Sequence, residues 1–186
     1  MKNITFTNAG SVSELAWPQS VDDVTPESPA LEVFTDFTRT QPLVIDARTN
    51  AIDTEELMKN AHVRLKIVVD HDARFLGIVS LQDLNHQQIL IKVSEGEKRE
   101  ELSVVDFMQP RHRLKGLEFG DLLKASIMDV IEVLKESQQQ HCIVVDNDQQ
   151  RLRGIISASD IARKLRLPIN LLNDSTFSGV YRAVQL

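Results

Sequence analysis

The sequence predicts an α/β fold of the α+β type, in which two copies of a β-α-β-β-α unit pack with pseudo-twofold symmetry. The first observation is an internal repeat, because Ala51–Asp70 resembles Ile127–Asp146, 76 residues further along the chain. The second is that Gly77–Asp83, GIVSLQD, matches Gly154–Asp160, GIISASD, 77 residues further along. Identity at predicted elements, with length differences at predicted loops, is typical of a duplicated fold.

Each repeat opens with a short acidic and aromatic pair, followed by a short apolar run. Asp36-Phe37 resembles Asp106-Phe107, 70 residues apart, which implies six extra residues in repeat two around Leu114–Leu123. Leu43–Ile45 and Leu114–Leu117 are the candidates for the first strand of each unit.

An amphipathic helix is predicted next in each repeat. In repeat two, apolar residues stand at positions i, i+3, i+4 and i+7 of one helical face: Ile127, Val130, Ile131 and Leu134. In repeat one only part of such a stripe is present: Leu57, Met58 and Ala61.

A β-hairpin is predicted after each helix. The β-branched runs Ile67–Val69 and Ile143–Val145 each end in aspartate and turn-forming residues, and Gly77–Val79 and Gly154–Ile156 supply the returning strands. A helix is then expected to begin at the Ser-x-x-Asp pattern that closes each repeat. The helix after Ser157 should run through Lys164 and end before Pro168.

The repeats divide the chain into five predicted segments. These are an extended or partly ordered N-terminal arm over 1–28, repeat one over 29–94, a charged linker over 95–103, repeat two over 104–167 and a C-terminal extension over 168–186. The extension has an apolar stripe that predicts a short helix packed on the core or on a second chain: Phe177, Val180, Tyr181 and Val184.

Composition argues against several classes of partner. The formal net charge is -6 and the basic stretches Arg111–Lys115 and Arg163–Arg166 are short, so no nucleic-acid partner is expected. No apolar run approaches the ~20 residues of a membrane helix, so no membrane partner is expected. Cys142 is the only cysteine, which suits a reducing cytoplasm.

The sequence contains no recognisable catalytic or metal-binding pattern. The five histidines and Cys142 show no metal-ligand spacing, and Arg151 stands where a calcium loop beginning at Asp146 needs glycine. No glycine-rich phosphate loop is present, and Cys142 lies in an apolar strand, where a small buried filler is expected rather than a nucleophile. These patterns favour a protein that is not an enzyme and needs no cofactor or metal.

The ordered motifs resemble those of the cystathionine-β-synthase (CBS) domain, here in tandem as a Bateman module. The resemblance rests on Val105–Met108, on the Val-Val-Asp that ends each central strand, and on Gly77–Leu84 and Gly154–Ile161. It covers roughly Pro29–Leu165 and implies two CBS-type repeats with ligand clefts between them.

The resemblance implies that an adenosine nucleotide, such as AMP, ADP, ATP or S-adenosylmethionine, binds between the repeats. The implied ribose ligands are Asp83 and Asp160, and the implied phosphate neighbours are Ser80 and Ser157, since carboxylates accept bonds from vicinal hydroxyls and a helix N-terminus favours phosphate. The adenine would enter an apolar slot of strand residues: Val44, Ile45, Ile78 and Ile155.

Several alternatives stay open at this point. Each Ser-x-x-Asp is also an ordinary helix capping box, worth about 1 kcal/mol. Arg163 could neutralise a polyphosphate, or it could belong to a solvated face with Lys164 and Arg166.

Three functions are consistent with the sequence. They are a stand-alone, non-catalytic nucleotide sensor, a structural interaction module with empty clefts, and a nucleotide-hydrolysing enzyme. The resemblance implies a twofold homodimer, and a sensor would need a separate protein partner that responds to the ligand.

Overall fold

The computed structural model describes residues 5–14, 16, 23–168 and 176–185, and it contains eight strands among them. The strands are β1 Phe34–Asp36, β2 Val44–Asp46, β3 Leu65–Val69, β4 Phe75–Ser80, β5 Gln109–Pro110, β6 Gly116–Glu118, β7 His141–Asp146 and β8 Arg151–Ser157. The helices of the described residues are α1 Ala51–Asn60, α2 His86–Ser94, α3 Phe119–Leu122, α4 Ile127–Leu134, α5 Ala158–Lys164 and α6 Phe177–Val184. Short 3-10 turns precede β1, at Ala30–Val33, and β5, at Val104–Asp106.

The strands form two mixed four-stranded sheets, one with the order β2-β3-β4-β5 and the other with the order β1-β8-β7-β6. In each sheet a parallel pair, β2/β3 or β6/β7, lies beside an antiparallel hairpin, β3/β4 or β7/β8. Both predicted hairpins and both predicted first strands are therefore confirmed.

The two repeats exchange their edge strands, which the sequence did not predict. β1 lies in repeat one along the chain but pairs with β8 of repeat two, and β5 of repeat two pairs with β4 of repeat one. Asp36 lies opposite Gly154, and Pro110 lies opposite the equivalent Gly77. Asp36 therefore corresponds to Pro110, so the alignment of Asp36-Phe37 with Asp106-Phe107 was wrong.

The strand register also narrows the position of the extra residues that were predicted around Leu114–Leu123 in repeat two. β2 and β6 take equivalent places beside β3 and β7, so Val44 corresponds to Gly116. The additional residues of repeat two therefore follow β6, and they form the short helix α3 at Phe119–Leu122.

The exchange explains the glycine that begins each matched GIxS segment. A Cβ at Gly77 would collide with the carbonyl oxygen of Gln109, and one at Gly154 with that of Thr35. In both repeats the exchanged strand approaches so closely that a side chain has no room.

Equivalent backbone bonds attach each opening segment to the first helix of the other repeat. The N–H of Ala30 donates to the carbonyl oxygen of Ala125 at 2.9 Å, and that of Val104 donates to Thr49 at 2.9 Å. The first N–H groups of helices α4 and α1 donate in the opposite direction. Ile127 donates to the carbonyl oxygen of Ser28 at 2.9 Å, and Ala51 donates to that of Leu102 at 3.0 Å. Helix N–H groups that have no partner inside the helix are thereby satisfied.

The predicted helix of repeat two is confirmed at α4. Ser126 caps it in a reciprocal capping box with Asp129, and Ile127, Val130 and Ile131 are buried. In α1 the partial stripe was wrong at Leu57 and at Ala61, which are both exposed. The buried face of α1 consists instead of Ala51, Thr54 and Met58.

The two sheets bury their apolar faces against each other, as the repeat predicted. The centre of this seam contains four buried residues of the two hairpins: Leu65, Ile67, Ile78 and Ile143. Full burial of such a side chain contributes about 1.5–3 kcal/mol, so each sheet depends on the other for its core. Separate clusters lie between each sheet and its helices.

The closing segments of the two repeats differ. After Ser157 a helix runs over Ala158–Lys164, as predicted. After Ser80 the prediction was wrong, because residues 81–84 form turns and α2 begins only at His86, capped by Asn85.

The predicted C-terminal helix is confirmed at α6. Phe177 and Val180 are buried in the repeat-two core, and Tyr181 and Val184 pack against it. Most of the predicted C-terminal extension before it, residues 169–175, lies outside the described residues, as do 1–4, 15 and 17–22 of the predicted N-terminal arm.

An ion pair fixes the exchanged strand β1. Arg153 donates two hydrogen bonds to the carboxylate of Asp36, at 2.8 and 2.9 Å, and lies 3.6 Å from Asp146 Oδ2. Its guanidinium also stacks over the ring of Phe119, 4.0 Å from the ring centroid. The Arg153 hydrogen bonds hold the pKa of Asp36 well below its usual range.

We expect Asp36→Asn to lower the free energy of unfolding by about 2 kcal/mol at pH 7, because a charge-assisted pair is lost. The depressed pKa means that this contribution is present above pH 4 and is lost as the pH falls below that value. Urea denaturation at pH 7 and pH 3 measures both effects. Asp46→Asn is the matched control, since Asp46 accepts a similar turn bond from the N–H of Arg48 but its ion pair is exposed. Equal losses in the two variants would contradict the prediction.

Candidate functional site

A cleft opens where the seam between the sheets meets the closing segment of repeat one. We call it the Ser80 cleft, and it has a volume of about 160 Å³. Repeat one contributes Leu65, Ile78, Ser80 and Gln82 to it, and repeat two contributes Gln109, Gln138–Gln140 and His141. The cleft is therefore built from both repeats, as the sequence analysis expected of a ligand site.

In the Ser80 cleft, the predicted ribose ligand is already engaged. Asp83 Oδ2 accepts bonds from the Ser80 N–H at 2.8 Å and from its hydroxyl at 2.7 Å. The amide of Gln109, on the exchanged strand β5, donates to the same carboxylate at 3.2 Å. The capping-box interpretation thus describes Ser80 and Asp83 well, although no regular helix follows directly.

The equivalent pair in repeat two behaves differently. Ser157 is buried and makes no side-chain capping bond, and its hydroxyl lies 2.7 Å from that of Ser159. Asp160 pairs with Arg163, one turn further along α5. The capping-box interpretation is wrong here, so the Asp160 carboxylate is not committed to the helix end.

The pseudo-twofold symmetry relates the Ser80 cleft to the region around this second pair, and we call that region the Ser157 cleft. Strand registers relate Ile78 to Ile155 and Gln109 to Thr35. Thr35 lies directly opposite Ile155 in the sheet. The exchanged strand therefore contributes one polar side chain to each cleft.

The four predicted slot residues do not gather in one place. Ile78 lines the Ser80 cleft, and Ile155 packs in the seam. Ile45 packs instead into the core of repeat one, because neighbouring strand residues face opposite ways. Val44 points away from that core and lines a cleft at the far end of the sheets.

Arg163 lies on the exposed side of α5, where it pairs with Asp160. Such an exposed pair has a modest energy, so a ligand could replace the arginine as the partner of Asp160 at small cost. The position of Arg163 beside Asp160 is compatible with both roles expected from the sequence, namely contact with a polyphosphate and membership of a solvated face.

Two polar groups of the clefts were not singled out from the sequence as site residues. Gln109 follows the Asp-Phe-Met motif directly, but its role depends on the strand exchange. Arg64 is the second such group, and its positive charge contributes to lowering the pKa of His141. Arg64 immediately precedes β3, as Gln140 precedes β7, so the pseudo-twofold symmetry relates Arg64 to Gln140 of the Ser80 cleft.

His141 is neutral at physiological pH. Burial, together with the positive charge of Arg64, lowers its pKa from 6.5 to about 4. A neutral imidazole can both accept and donate a hydrogen bond within the Ser80 cleft.

Cys142 is buried, as predicted for a small apolar filler. Burial raises the pKa of its thiol to about 11, so the thiolate needed for nucleophilic chemistry is disfavoured.

The potential metal-ligand atoms that the structure brings together lie outside both clefts. Side-chain atoms of Asp70, His71 and Asp72 lie within 4.8 Å of one another at the exposed β3–β4 turn. Asp70 Oδ1 accepts bonds from the backbone N–H groups of Asp72 and Arg74 at 2.9 and 2.8 Å, which explains the arrangement as a side-chain-stabilised turn.

The fold is a paired α/β module. Two sheets, each built around a hairpin, exchange edge strands and pack through an apolar seam with a polar cleft. The family model of the CBS domain matches residues 24–88 and 123–167 of this chain. The chain therefore belongs to the CBS domain family, and the two matches correspond to a tandem pair. No curated protein matches the chain.

Solved structures share this fold at low sequence identity. An uncharacterized conserved protein from Pyrococcus horikoshii is 16% identical, with a TM-score of 0.56, covering 78% of this chain and 98% of that one. CBSX2 in complex with AMP is 23% identical, with a TM-score of 0.53, covering 73% and 94%. The CBS domain protein TA0289 from Thermoplasma acidophilum is 20% identical, with a TM-score of 0.50, covering 80% and 77%.

No helix among the described residues combines the length and the apolar character that crossing a membrane requires.

We expect the protein to lose about 2 kcal/mol of stability between pH 7 and pH 5 through His141. The unfolded chain takes up a proton near pH 6.5, whereas folded His141 stays neutral until about pH 4, so falling pH favours unfolding. Urea midpoints across this range should show the loss, and His141→Gln should remove it. His112→Gln, at an exposed site, is the control. An unchanged pH dependence in His141→Gln would show that the imidazole is protonated normally in the fold.

Proposed function

We propose that this protein is a non-catalytic regulatory module that binds an adenosine nucleotide in the Ser157 cleft. The observation that carries the proposal is the carboxylate of Asp160, which directly follows the paired serines along the chain and is not used to cap its own helix. The AMP complex of CBSX2 supports the ligand class, since that protein shares the fold.

Asp160 is the proposed ribose ligand. A carboxylate can accept one hydrogen bond from each of the two vicinal ribose hydroxyls. Asp160 can do so by exchanging its exposed bond with Arg163, whereas Asp83 would have to break bonds with Ser80 and Gln109. The proposal therefore assigns the nucleotide first to repeat two.

The proposed phosphate ligands are hydroxyls and a nearby guanidinium. Ser157 and Ser159 offer hydroxyl donors, and Arg163 can turn from Asp160 to a phosphate oxygen on the same side of α5. The base would rest against Ile155, opposite Thr35 on the exchanged strand. The ligand would thus touch chain segments from both repeats.

Ligand binding at this seam can regulate a partner by changing the packing of the repeats. The base would contact β1, which belongs to repeat one along the chain but to the sheet of repeat two. A ligand that binds one relative arrangement of the halves more tightly shifts the population toward that arrangement. A separate protein is proposed to respond to this shift.

The alternative of a structural module with empty clefts is favoured by one observation. The Ser80 cleft, at about 160 Å³, is smaller than the roughly 300–1,000 Å³ of usual ligand pockets, and its Asp83 is satisfied internally. We therefore expect one nucleotide per chain rather than two.

Substitution of Asp160 and substitution of Asp83 should have different effects on nucleotide binding. Asp160→Asn should weaken nucleotide binding 10- to 100-fold, because charged hydrogen bonds to ribose contribute about 1.5–3 kcal/mol. Asp83→Asn, the matched control in the other repeat, should leave binding unchanged and lower stability instead. Titration calorimetry with AMP, ADP, ATP and S-adenosylmethionine measures both.

Two outcomes would contradict the proposal. One is the absence of binding of all four compounds at millimolar concentration, which would favour the structural module. The other is equal weakening by the two substitutions, which would remove the preference for repeat two.

We also propose a twofold homodimer formed through the helical face. Exposed apolar residues recur at equivalent positions of the two repeats: Leu57 with Val133, and Leu31 with Val105. Val133 is 70% exposed and Leu57 is 51% exposed, so the single chain leaves this pattern uncovered. A self-complementary surface of this kind suits an isologous dimer.

The double variant Leu57→Glu/Val133→Glu should sediment as a monomer at concentrations where the unsubstituted protein is a dimer, because charge would enter the apolar contact. Leu43→Glu alters an equally exposed leucine away from these helices and should leave the sedimentation unchanged. A monomeric unsubstituted protein, or a dimer that survives the double substitution, would contradict the proposed interface.

A further inference from the structure

A larger cleft lies at the opposite end of the two sheets from Ser80 and Ser157. We call it the axial cleft, and its volume is about 810 Å³. Leu65 begins β3 in the Ser80 cleft and Val69 ends β3 in the axial cleft. Four steps along a strand separate the two by about 13 Å, so the axial cleft is not part of the proposed nucleotide site.

The axial cleft lies on the pseudo-twofold axis, because equivalent residues of the two repeats line it together. Three such pairs are Ile67 with Ile143, Val69 with Val145, and Arg74 with Arg151. The isoleucines and valines form an apolar floor, and the arginines stand at the rim, where each hairpin turns. A ligand on the axis would therefore meet the same chemistry from both repeats.

Positive charge gathers at this rim although the whole chain carries a net charge of -6. Arg111 joins Arg74 and Arg151 there, and it makes no ion pair with any part of the chain that the structure describes. Among the described lining residues the carboxylate is that of Asp146, which is buried and lies 3.6 Å from both Arg151 and Arg153. Arg74 also lies 3.6 Å from the carboxylate of Asp72, which does not line the cleft, and this exposed ion pair is weak. The three arginines therefore outnumber their two carboxylate partners, and the rim keeps guanidinium groups for an anion.

The hairpin turns place these arginines through an unusual backbone. Ala73 and Gln150, which precede Arg74 and Arg151, have positive φ angles of 60° and 48°. Such angles are uncommon for residues other than glycine, and both of these residues line the cleft. The two hairpin turns thus share the same backbone geometry at equivalent positions of the cleft wall.

We propose that the axial cleft binds a small organic anion, a phosphate or carboxylate attached to a flat apolar body. The guanidinium groups of Arg74, Arg151 and Arg111 bind the anionic group, since their planar donors match carboxylate and phosphate oxygens. The apolar body rests on the floor between the sheets, beside the rings of Phe37 and Phe75. This site is independent of the nucleotide site proposed above.

Fluorescence titration with 8-anilinonaphthalene-1-sulfonate, an aromatic anion, tests the proposal. The unsubstituted protein should bind one dye per chain at the axial cleft, and Arg74→Gln/Arg151→Gln should weaken this binding at least 10-fold. Val44→Phe, which fills the floor from an exposed position, should weaken it similarly. Arg48→Gln is the matched control for the loss of an exposed arginine that lines neither the axial cleft nor the Ser80 cleft, and it should have no effect.

Displacement of the bound dye by other compounds then identifies the class of anion that the cleft binds. Displacement of the dye by phenyl phosphate or by benzoate supports the proposal and distinguishes a phosphate from a carboxylate ligand. Equal displacement by neutral benzyl alcohol, or dye binding that neither the arginine pair nor Val44→Phe weakens, would overturn it. The titration is repeated in Asp160→Asn, where dye binding should persist. The dye titration at the axial cleft can therefore be interpreted even if the protein does not bind a nucleotide.

Discussion

The mutual burial of the two sheets is the constraint on which the rest of this molecule depends. Ile67 and Ile143 come from equivalent strands and are buried against the opposite sheet, so neither hairpin has a complete core alone. Since a unit of about 50–60 residues is marginally stable, the seam supplies apolar burial that one repeat lacks. The clefts lie at the ends of the strands, where polar side chains join the apolar residues of the seam.

The exchange of edge strands determines what each cleft contains. β5 brings Gln109 to the aspartate of repeat one, and β1 brings Thr35 opposite Ile155 of repeat two. The same exchange lets Arg153 pair with Asp36, a contact that has no equivalent in repeat one, where Leu76 and Pro110 occupy the corresponding positions. A duplicated sequence has therefore diverged at the exchanged strands, which makes the two clefts chemically unequal.

Most of the regular structure was accessible from the sequence, because apolar periodicity directly reflects burial. The strands around Val68 and Val144 and the helix beginning at Ile127 were predicted for that reason. The edge-strand alignment was not, since only the pairing partner fixes the register of a two- or three-residue strand. Likewise, identical Ser-x-x-Asp patterns could not show that Ser80 bonds its aspartate and Ser157 does not, because that depends on the neighbouring Gln109 and Ser159.

The strand exchange also changes what the covalent linker does after folding. A single proteolytic cut in the exposed segment Glu95–Lys98 would produce two fragments, each containing an edge strand that the sheet in the other fragment needs. The fragments would remain associated through both sheets, and separating them would expose unpaired strand edges that favour aggregation. The continuity of the chain at this point therefore serves mainly to bring the halves together during folding.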